Sequence, residues 1–368
     1  LIFPGAIVQV DTLQLAVQLL KSNRSYTAEE QLNQSYENVE FELSSAIRQL
    51  TQTERARVGL LVSHTQVPPE RLSDLIASLQ QQYDVFLDVN APSSYDGLDA
   101  LLVVKPDRPF EEEELYKLDQ YVVQGGSVLF LVDGAKVDSV SLEGTFAQPL
   151  DLGLGGLFYR WGIRLNSDLV KDLNAALIPL NVGTMGDTPQ IQPLPWRFFP
   201  LLNRFGDHPI TRNVEAIYSR FLSSIDTVGG ASGIRKTPLV QTSPYTKSLA
   251  TPALVSYNEA RQQPSPQEYQ GGTQVAAILL EGTFRSLFQN RILPSDPRHE
   301  AFVPLGADGS VIVFADGDIA INDFDYRRAS PLPLGYDRVS QHVFGNKDFI
   351  LHALAYMTDP HGLIAARS

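Results

Sequence analysis

DALLVVKPDRPFEEEELYKLDQYVVQGGSVLFLV, residues Asp99 to Val132, holds one full repeat of the pattern that decides the fold. Ala100 to Val104 is apolar on both faces, too short for a helix and rich in β-branched residues, so it reads as a buried strand. Glu111 to Val123 reads as a helix, with four acids at its start where the macrodipole favours negative charge. Gly125-Gly126 ends that helix, since glycine accepts the left-handed backbone that follows a last turn. Ser127 to Val132 is again almost wholly apolar. Upstream, Val58 to Val62 is a strand, Pro68-Pro69-Glu70 opens a helix reaching about Gln82, and Tyr83 to Val89 is another strand. Strands apolar on both faces and alternating with helices predict an α/β fold: a mostly parallel sheet with helices on both faces.

Outward from this unit the pattern breaks and then returns. Residues 134–272 are rich in Gly and Pro and read as an irregular insertion or second subdomain lying on the sheet. Leu152 to Leu165 contains a short helix. Pro193 to Pro200, bracketed by proline, reads as neither a central strand nor a long helix. Ser256 to Gly272 is polar and reads as an exposed loop tolerant of substitution. Val275 to Leu280 and Ser310 to Ala315 are apolar strands, and a helix opens at Gly345-Asn346. Asn346 is placed to cap it, Asp348 lies in its first turn, and Phe349, Ile350, Ala353, Leu354 and Met357 form an apolar stripe. Residues 57–132 and 275–358 should therefore share one sheet. The expected units are an entry strand and helix (1–55), the first half of the core (56–133), the insertion (134–272), the second half of the core (273–360) and a linker (361–368). Within the first, Glu37 to Gln52 is amphipathic.

The 368 residues carry 29 basic and 42 acidic side chains, a formal charge of −13. Such a surface repels phosphate backbones, so nucleic acid is excluded as a partner class. There is no cysteine, which removes disulfides, thiolate metal sites and cysteine nucleophiles together. No apolar run reaches the 18 or more residues that cross a bilayer, and no signal-peptide pattern is present. With Leu1 in place of an initiator Met, the expectation is a piece of a longer chain whose membrane-anchoring segments flank it on both sides.

Several motifs, in their order, resemble the GldG-type auxiliary components of ABC transporters associated with bacterial gliding motility. They are Asp99 to Pro106 with the acidic helix and Gly125-Gly126, and Gly162 to Asp172. Trp196 to Leu202, Asp207-His208-Pro209-Ile210-Thr211 and Ser224-Ile225-Asp226 follow. Gly345 to Leu351 and Gly362 to Arg367 complete the set. The resemblance implies a flavodoxin-like parallel sheet akin to class I glutamine amidotransferases, shared with an intraflagellar-transport protein that acts as a scaffold. It also implies permease and ATPase subunits as partners, and a place on the periplasmic side of the cell inner membrane.

Open α/β sheets bind ligands at the carboxyl ends of their strands. Ser63, His64, Asp133, Asp316 and Asp318 are expected to converge there. Tyr159, Trp161 and Trp196, with Phe198 and Phe199, are candidates for stacking on a sugar or a partner's side chains. The acidic run Asp316 to Asp325 lacks the EF-hand spacing and its distal Glu, so it is read as a turn with capping carboxylates and no metal is assigned. No histidine pair has zinc spacing, Gly153-x-Gly155-Gly156 lacks the following Lys-Ser/Thr of a phosphate loop, and no cofactor is called for. An amidotransferase would need a nucleophile after the strand Ser127 to Val132; the chain has Asp133-Gly134-Ala135-Lys136 instead, so acyl transfer has no first step. The expectation is a non-enzymatic, extracytoplasmic accessory domain working by contact with an envelope protein or small-molecule ligand. The alternative is a sugar- or peptide-binding protein, and the third reading is an amidotransferase-like or hydrolytic enzyme.

Overall fold

The computed structural model describes residues 5–10, 13–18, 55–87, 95–185, 188–229 and 233–359, with Val39, Leu43, Ala46 and Ile47. Those four residues are helical, and the rest of the helix expected over 37–52 lies outside the described residues. So does the linker over 361–368. Gly5–Val10 and Leu13–Gln18 form an antiparallel hairpin.

Strand β1 (Arg57–Leu61) passes through a short turn at Pro69–Arg71 into helix α1 (Ser73–Gln80), and the chain returns as β2 (Asp84–Leu87). Then come β3 (Ala100–Val104), α2 (Glu112–Val123) and β4 (Ser127–Leu131), close to the expected bounds. All residues of β3 and β4 are buried, as strands covered on both faces require. Helix α2 starts with a capping box: Glu114 accepts from the backbone N–H of Glu111, and Glu111 accepts from that of Glu114. The acids at this terminus therefore satisfy orphan donors as well as the dipole.

The segment expected to be irregular is rich in strands. It holds α3 (Gly155–Arg160), β5 (Ile163–Leu165), β6 (Ala175–Met185), β7 (Thr188–Leu202), β8 (Arg204–Phe205), β9 (Ile225–Thr227) and β10 (Ile234–Gln241). The chain then resumes with β11 (Val275–Arg285), β12 (Leu305–Phe314) and α4 (Asn346–Met357). The main sheet has ten strands, in the order β8-β10-β11-β12-β4-β3-β1-β2, with β9 pairing β11 and β5. Strands β2, β1, β3, β4 and β12 are parallel to one another. Numbered along the chain, their order is 2-1-3-4-5, one of the two common doubly wound arrangements.

Two expectations need correction. The sheet is mixed, because β11 runs antiparallel to β12, and β10 and β8 continue antiparallel beyond it. The insertion does not merely lie on the sheet; it supplies β5, β8, β9 and β10 to it. Pro193 to Pro200, expected to be neither a central strand nor a long helix, lies within β7. Along Thr188 to Pro200 its register partner is β6, and strands that hold proline are typically edge strands.

Phe130 of β4 pairs with Val313 of β12, so Phe130 and Phe314 point to opposite faces. Phe130 meets Phe158 of α3, whereas Phe314 meets Phe349 of α4 edge-on at 5.3 Å. Lys347 at the start of α4 pairs with Asp74 of α1 at 2.6 Å, which places α1 on the α4 face. The main core runs through both faces. A second, smaller apolar cluster, including Ala135, Leu169, Trp196, Phe198 and Val255, sits inside the insertion.

Candidate functional site

The carboxyl ends of β3, β4 and β12 put Lys105, Asp133, Asp316 and Asp318 side by side. Lys105 Nζ donates to Asp133 Oδ2 and to Asp318 Oδ2, both at 2.7 Å. Lys105 has φ +40°, a left-handed conformation costly for a side chain with a Cβ. Gly317 makes room for it: a Cβ there would lie 2.9 Å from Lys105 Cα. The Gly317 amide donates to Asp133 Oδ1 at 2.6 Å. Behind this trio, Asp316 accepts from Ser219 Oγ, from the Arg220 amide and from the Asp318 amide at 2.6–2.7 Å. Asp316 thus ties the end of β12 to the insertion.

Burial raises two of the carboxyls in this group. Burial, with Asp318 and Asp133 close by, pushes the Asp316 carboxyl up to about 8 against the pull of Lys105. Asp133 is raised by burial, while Lys105 pulls the other way. For Lys105, burial alone would favour the neutral amine, but Asp133 and Asp318 outweigh it and hold the ammonium well above its ordinary range. A lysine so held cannot serve as an amine nucleophile. Oxygens of Asp133, Asp316 and Asp318 all lie within 4.8 Å of one another. The Lys105 ammonium bridges two of them, where a bound cation would sit.

A cleft of about 370 Å³ opens over this floor, within the range of small-ligand sites. Its polar lining includes Arg71, Lys105, Asp133, Arg220 and Asp318, and its aromatic wall is Phe199, Phe221 and Tyr257. Phe221 has φ +56°, so two strained non-glycine residues border one cleft. The wall belongs to the insertion and is backed by Trp196, which contacts Phe199, Phe221 and Tyr257 at ring separations of 4.6–5.7 Å. Trp196 Nε1 donates to the Ser256 carbonyl. A second cleft of about 470 Å³ lies at the amino end of β4, beside Ser127 and the middle of β12 at Ser310. Arg235 there is paired with Glu281 at 2.6 Å, and Tyr356 also donates to Glu281.

The sequence-predicted residues therefore divide. Asp133 and Asp318 line the first cleft, and Asp316 stands behind them. Ser63 and His64 follow β1 but do not line it. His64 is buried, stacks on Phe110 at 4.1 Å, and has Ser63 Oγ 3.2 Å from Nδ1 and Glu114 Oε2 3.0 Å from Nε2. Burial would raise the Glu114 carboxyl, but the Glu111 amide, His64 and Arg108 more than offset it and hold it low. Ser63 and Glu114 thus flank the two ring nitrogens of His64. This is the bonding order of a hydrolytic triad with the two ring nitrogens exchanged. Trp161 is not a stacking platform: it is fully buried in the main core against Phe130, Phe158 and Phe284. Tyr159 is exposed on α3. Trp196 is buried and shapes the cleft wall without lining it.

Sequence reasoning missed Lys105, Arg71, Arg220, Phe221 and Tyr257. For Lys105 the signal was present, since it ends β3 beside the point where strand order reverses. Arg220, Phe221 and Tyr257 are brought in by the insertion, and nothing in their local sequence marks them.

Among the described residues, no helix is long and apolar enough to cross a membrane. A family model described as "ABC-type uncharacterized transport system" matches residues 55–353. No curated protein matches the chain. A solved structure titled "mmIFT52 N-terminal domain" is 11% identical with a TM-score of 0.47, covering 83% of this chain and 99% of that one. A ThuA-like protein from Parabacteroides merdae is 9% identical with a TM-score of 0.34, covering 83% of this chain and 90% of that one. The match over 55–353 spans most of the 368 residues, so the chain belongs to the ABC-type uncharacterized transport system family and has a transport-associated accessory role.

Proposed function

We propose that this chain is a non-catalytic, ligand-receiving accessory domain of an ABC transporter of the gliding-motility type, held on the outer side of the cytoplasmic membrane. The observation that carries the reading is the cleft of about 370 Å³ at the carboxyl ends of the parallel strands, walled on its other side by the insertion. Ligands of open α/β sheets bind at that edge. The 2-1-3-4-5 strand order supports a flavodoxin-like parallel half, akin to that of class I glutamine amidotransferases. Family membership supports partnership with transporter components, and the permease and ATPase subunits are the partners proposed.

Binding without turnover is the chemistry these groups favour. Lys105 is held protonated between carboxylates, and there is no cysteine. Ser63 is bonded to His64 but stands outside the cleft lining, so a substrate in the cleft would not reach it. Calorimetry of the purified chain with a neutral disaccharide, a dipeptide, a sugar acid and an aryl phosphate should give saturable binding to at least one probe. Parallel assays with glutamine and p-nitrophenyl esters should give no turnover. Turnover abolished by Ser63→Ala would overturn the non-catalytic reading, and failure of every probe to bind would overturn the ligand-receiving one.

A further inference from the structure

Asp323 is shared by three guanidinium groups. Arg71 Nη2 lies 3.1 Å from Oδ1, while Arg220 Nη2 and Arg338 Nε lie 3.5 and 3.6 Å from Oδ2. The last two distances are longer than a good charge-assisted hydrogen bond, which runs about 2.7–2.9 Å. Three cations thus lean on one carboxylate, and two of them, Arg71 and Arg220, line the cleft. The lining also holds Asp107, Asp138, Asp133 and Asp318, the last two engaged by Lys105 at 2.7 Å, and Asp318 acts on Arg220 as well. Arg220 is also fixed in direction: its guanidinium lies over the rings of Tyr218 and Phe199, 4.9 and 5.7 Å from their centroids. Arg71 is held by the Asn322 carbonyl and Asp323. Guanidinium groups so placed present donors suited to a second oxyanion. Beside them stand Phe199, Phe221 and Tyr257, with Val137, Val140 and Leu150 completing an apolar wall.

We propose that the cleft takes a small organic anion, its carboxylate or phosphate held by Arg71 and Arg220 and its body packed against Phe199, Phe221 and Tyr257. This rests on the ligand-receiving reading above and adds the ligand class and the residues that read it. The anion gives Arg71 and Arg220 a second acceptor beside Asp323, which Arg220 reaches only at 3.5 Å. The aromatic wall then selects for a ring or other flat body over a bare inorganic ion.

The test is calorimetry of the purified chain with D-glucuronate, D-glucose 6-phosphate and phenyl phosphate, against D-glucose and inorganic phosphate. At least one organic anion should bind more tightly than both controls, and its affinity should fall as NaCl rises from about 0.05 to 0.5 M, where exposed charges are largely screened. Arg71→Gln should weaken that anion at least about tenfold, the scale of one lost hydrogen bond to a charged group. Arg71→Lys should recover part of the loss; melting curves of both variants check folding. D-glucose binding as tightly as the anions, or an anion affinity unchanged in Arg71→Gln, overturns the assignment and leaves the cleft a ligand site of another class. Binding of inorganic phosphate as tightly as phenyl phosphate overturns the role of the aromatic wall. If none of these five probes binds, the anion assignment falls; if the neutral disaccharide and the dipeptide also fail, the ligand-receiving reading falls with it.

Discussion

At Lys105 a single side chain concentrates the chemistry of the site. Its strained backbone is tolerated because Gly317 leaves space and two carboxylates anchor the ammonium. Gly317→Ala should lower stability by about 1–3 kcal/mol, the usual cost of an added methyl group in a packed interior; urea unfolding measures it, and an unchanged midpoint would mean that Lys105 can move away freely. Asp316 makes a sharper prediction. Its folded carboxyl, raised to about 8 from an ordinary 3.8, holds a proton that the unfolded chain has already lost between those values. Stability from this group is therefore complete below about 4 and declines as pH rises toward and through 8. Between pH 6 and 8 the loss should be about 2 kcal/mol. Asp316→Asn should flatten that decline, and an equally steep fall in the variant would assign it to another group.

Among the elements, α4 and the segment 256–272 behave differently from each other and, in part, from expectation. Phe349 is fully buried on α4 against Phe314, so Phe349→Ala should cost about 3–5 kcal/mol. Equal melting temperatures for variant and wild type would mean that α4 does not dock through this ring. The segment 256–272 does not tolerate change evenly. Glu259 takes Lys171 at 2.6 Å and Arg197 at 3.3 Å, both cations being buried, and Arg197 also donates to the carbonyls of Glu259 and Gln262. Glu259→Ala strands two buried cations and should cost about 3–5 kcal/mol. Gln263→Ala, at an exposed position, should stay within about 0.5 kcal/mol. Matching denaturation midpoints for these two variants would refute the anchoring role of Glu259.

For the whole molecule, the functional reading depends on where the domain is held and what it meets there. We predict that the full-length gene product fractionates with the cytoplasmic membrane, that added protease cleaves this domain in spheroplasts, and that the permease and ATPase subunits co-purify with it in mild detergent. Tethering would let weak contacts suffice, because a linked partner is present at high effective concentration. Recovery in the soluble cytoplasmic fraction, protected from protease, would sink the proposed location. Membrane recovery without either transporter subunit would sink the proposed partnership.

The local order of strands and helices was legible in residues 56–133, because each buried strand is a continuous apolar run, each helix carries a start signal, and Gly125-Gly126 stops the second. The stripe around Phe349 declared the terminal helix but not its cap: Gly345 holds the cap position, and Asn346 Oδ1 accepts from the Tyr218 amide rather than from the helix's own first turn. The antiparallel half of the sheet was not legible. Val275 to Leu280 is apolar whichever way it runs, and pairing direction is set by partners distant along the chain. Asp133, Asp316 and Asp318 could be named from their positions at strand ends, but Arg71, Arg220 and Tyr257 could not. Those three come from separate elements, and their charges and rings acquire meaning only from what faces them. Sequence by itself determined the elements and the edge of the sheet where a site would form, since both follow from local periodicity and chain direction. Tertiary structure alone decided which residues meet in the cleft and which aromatics are core, because long-range pairing of the insertion with the sheet controls both.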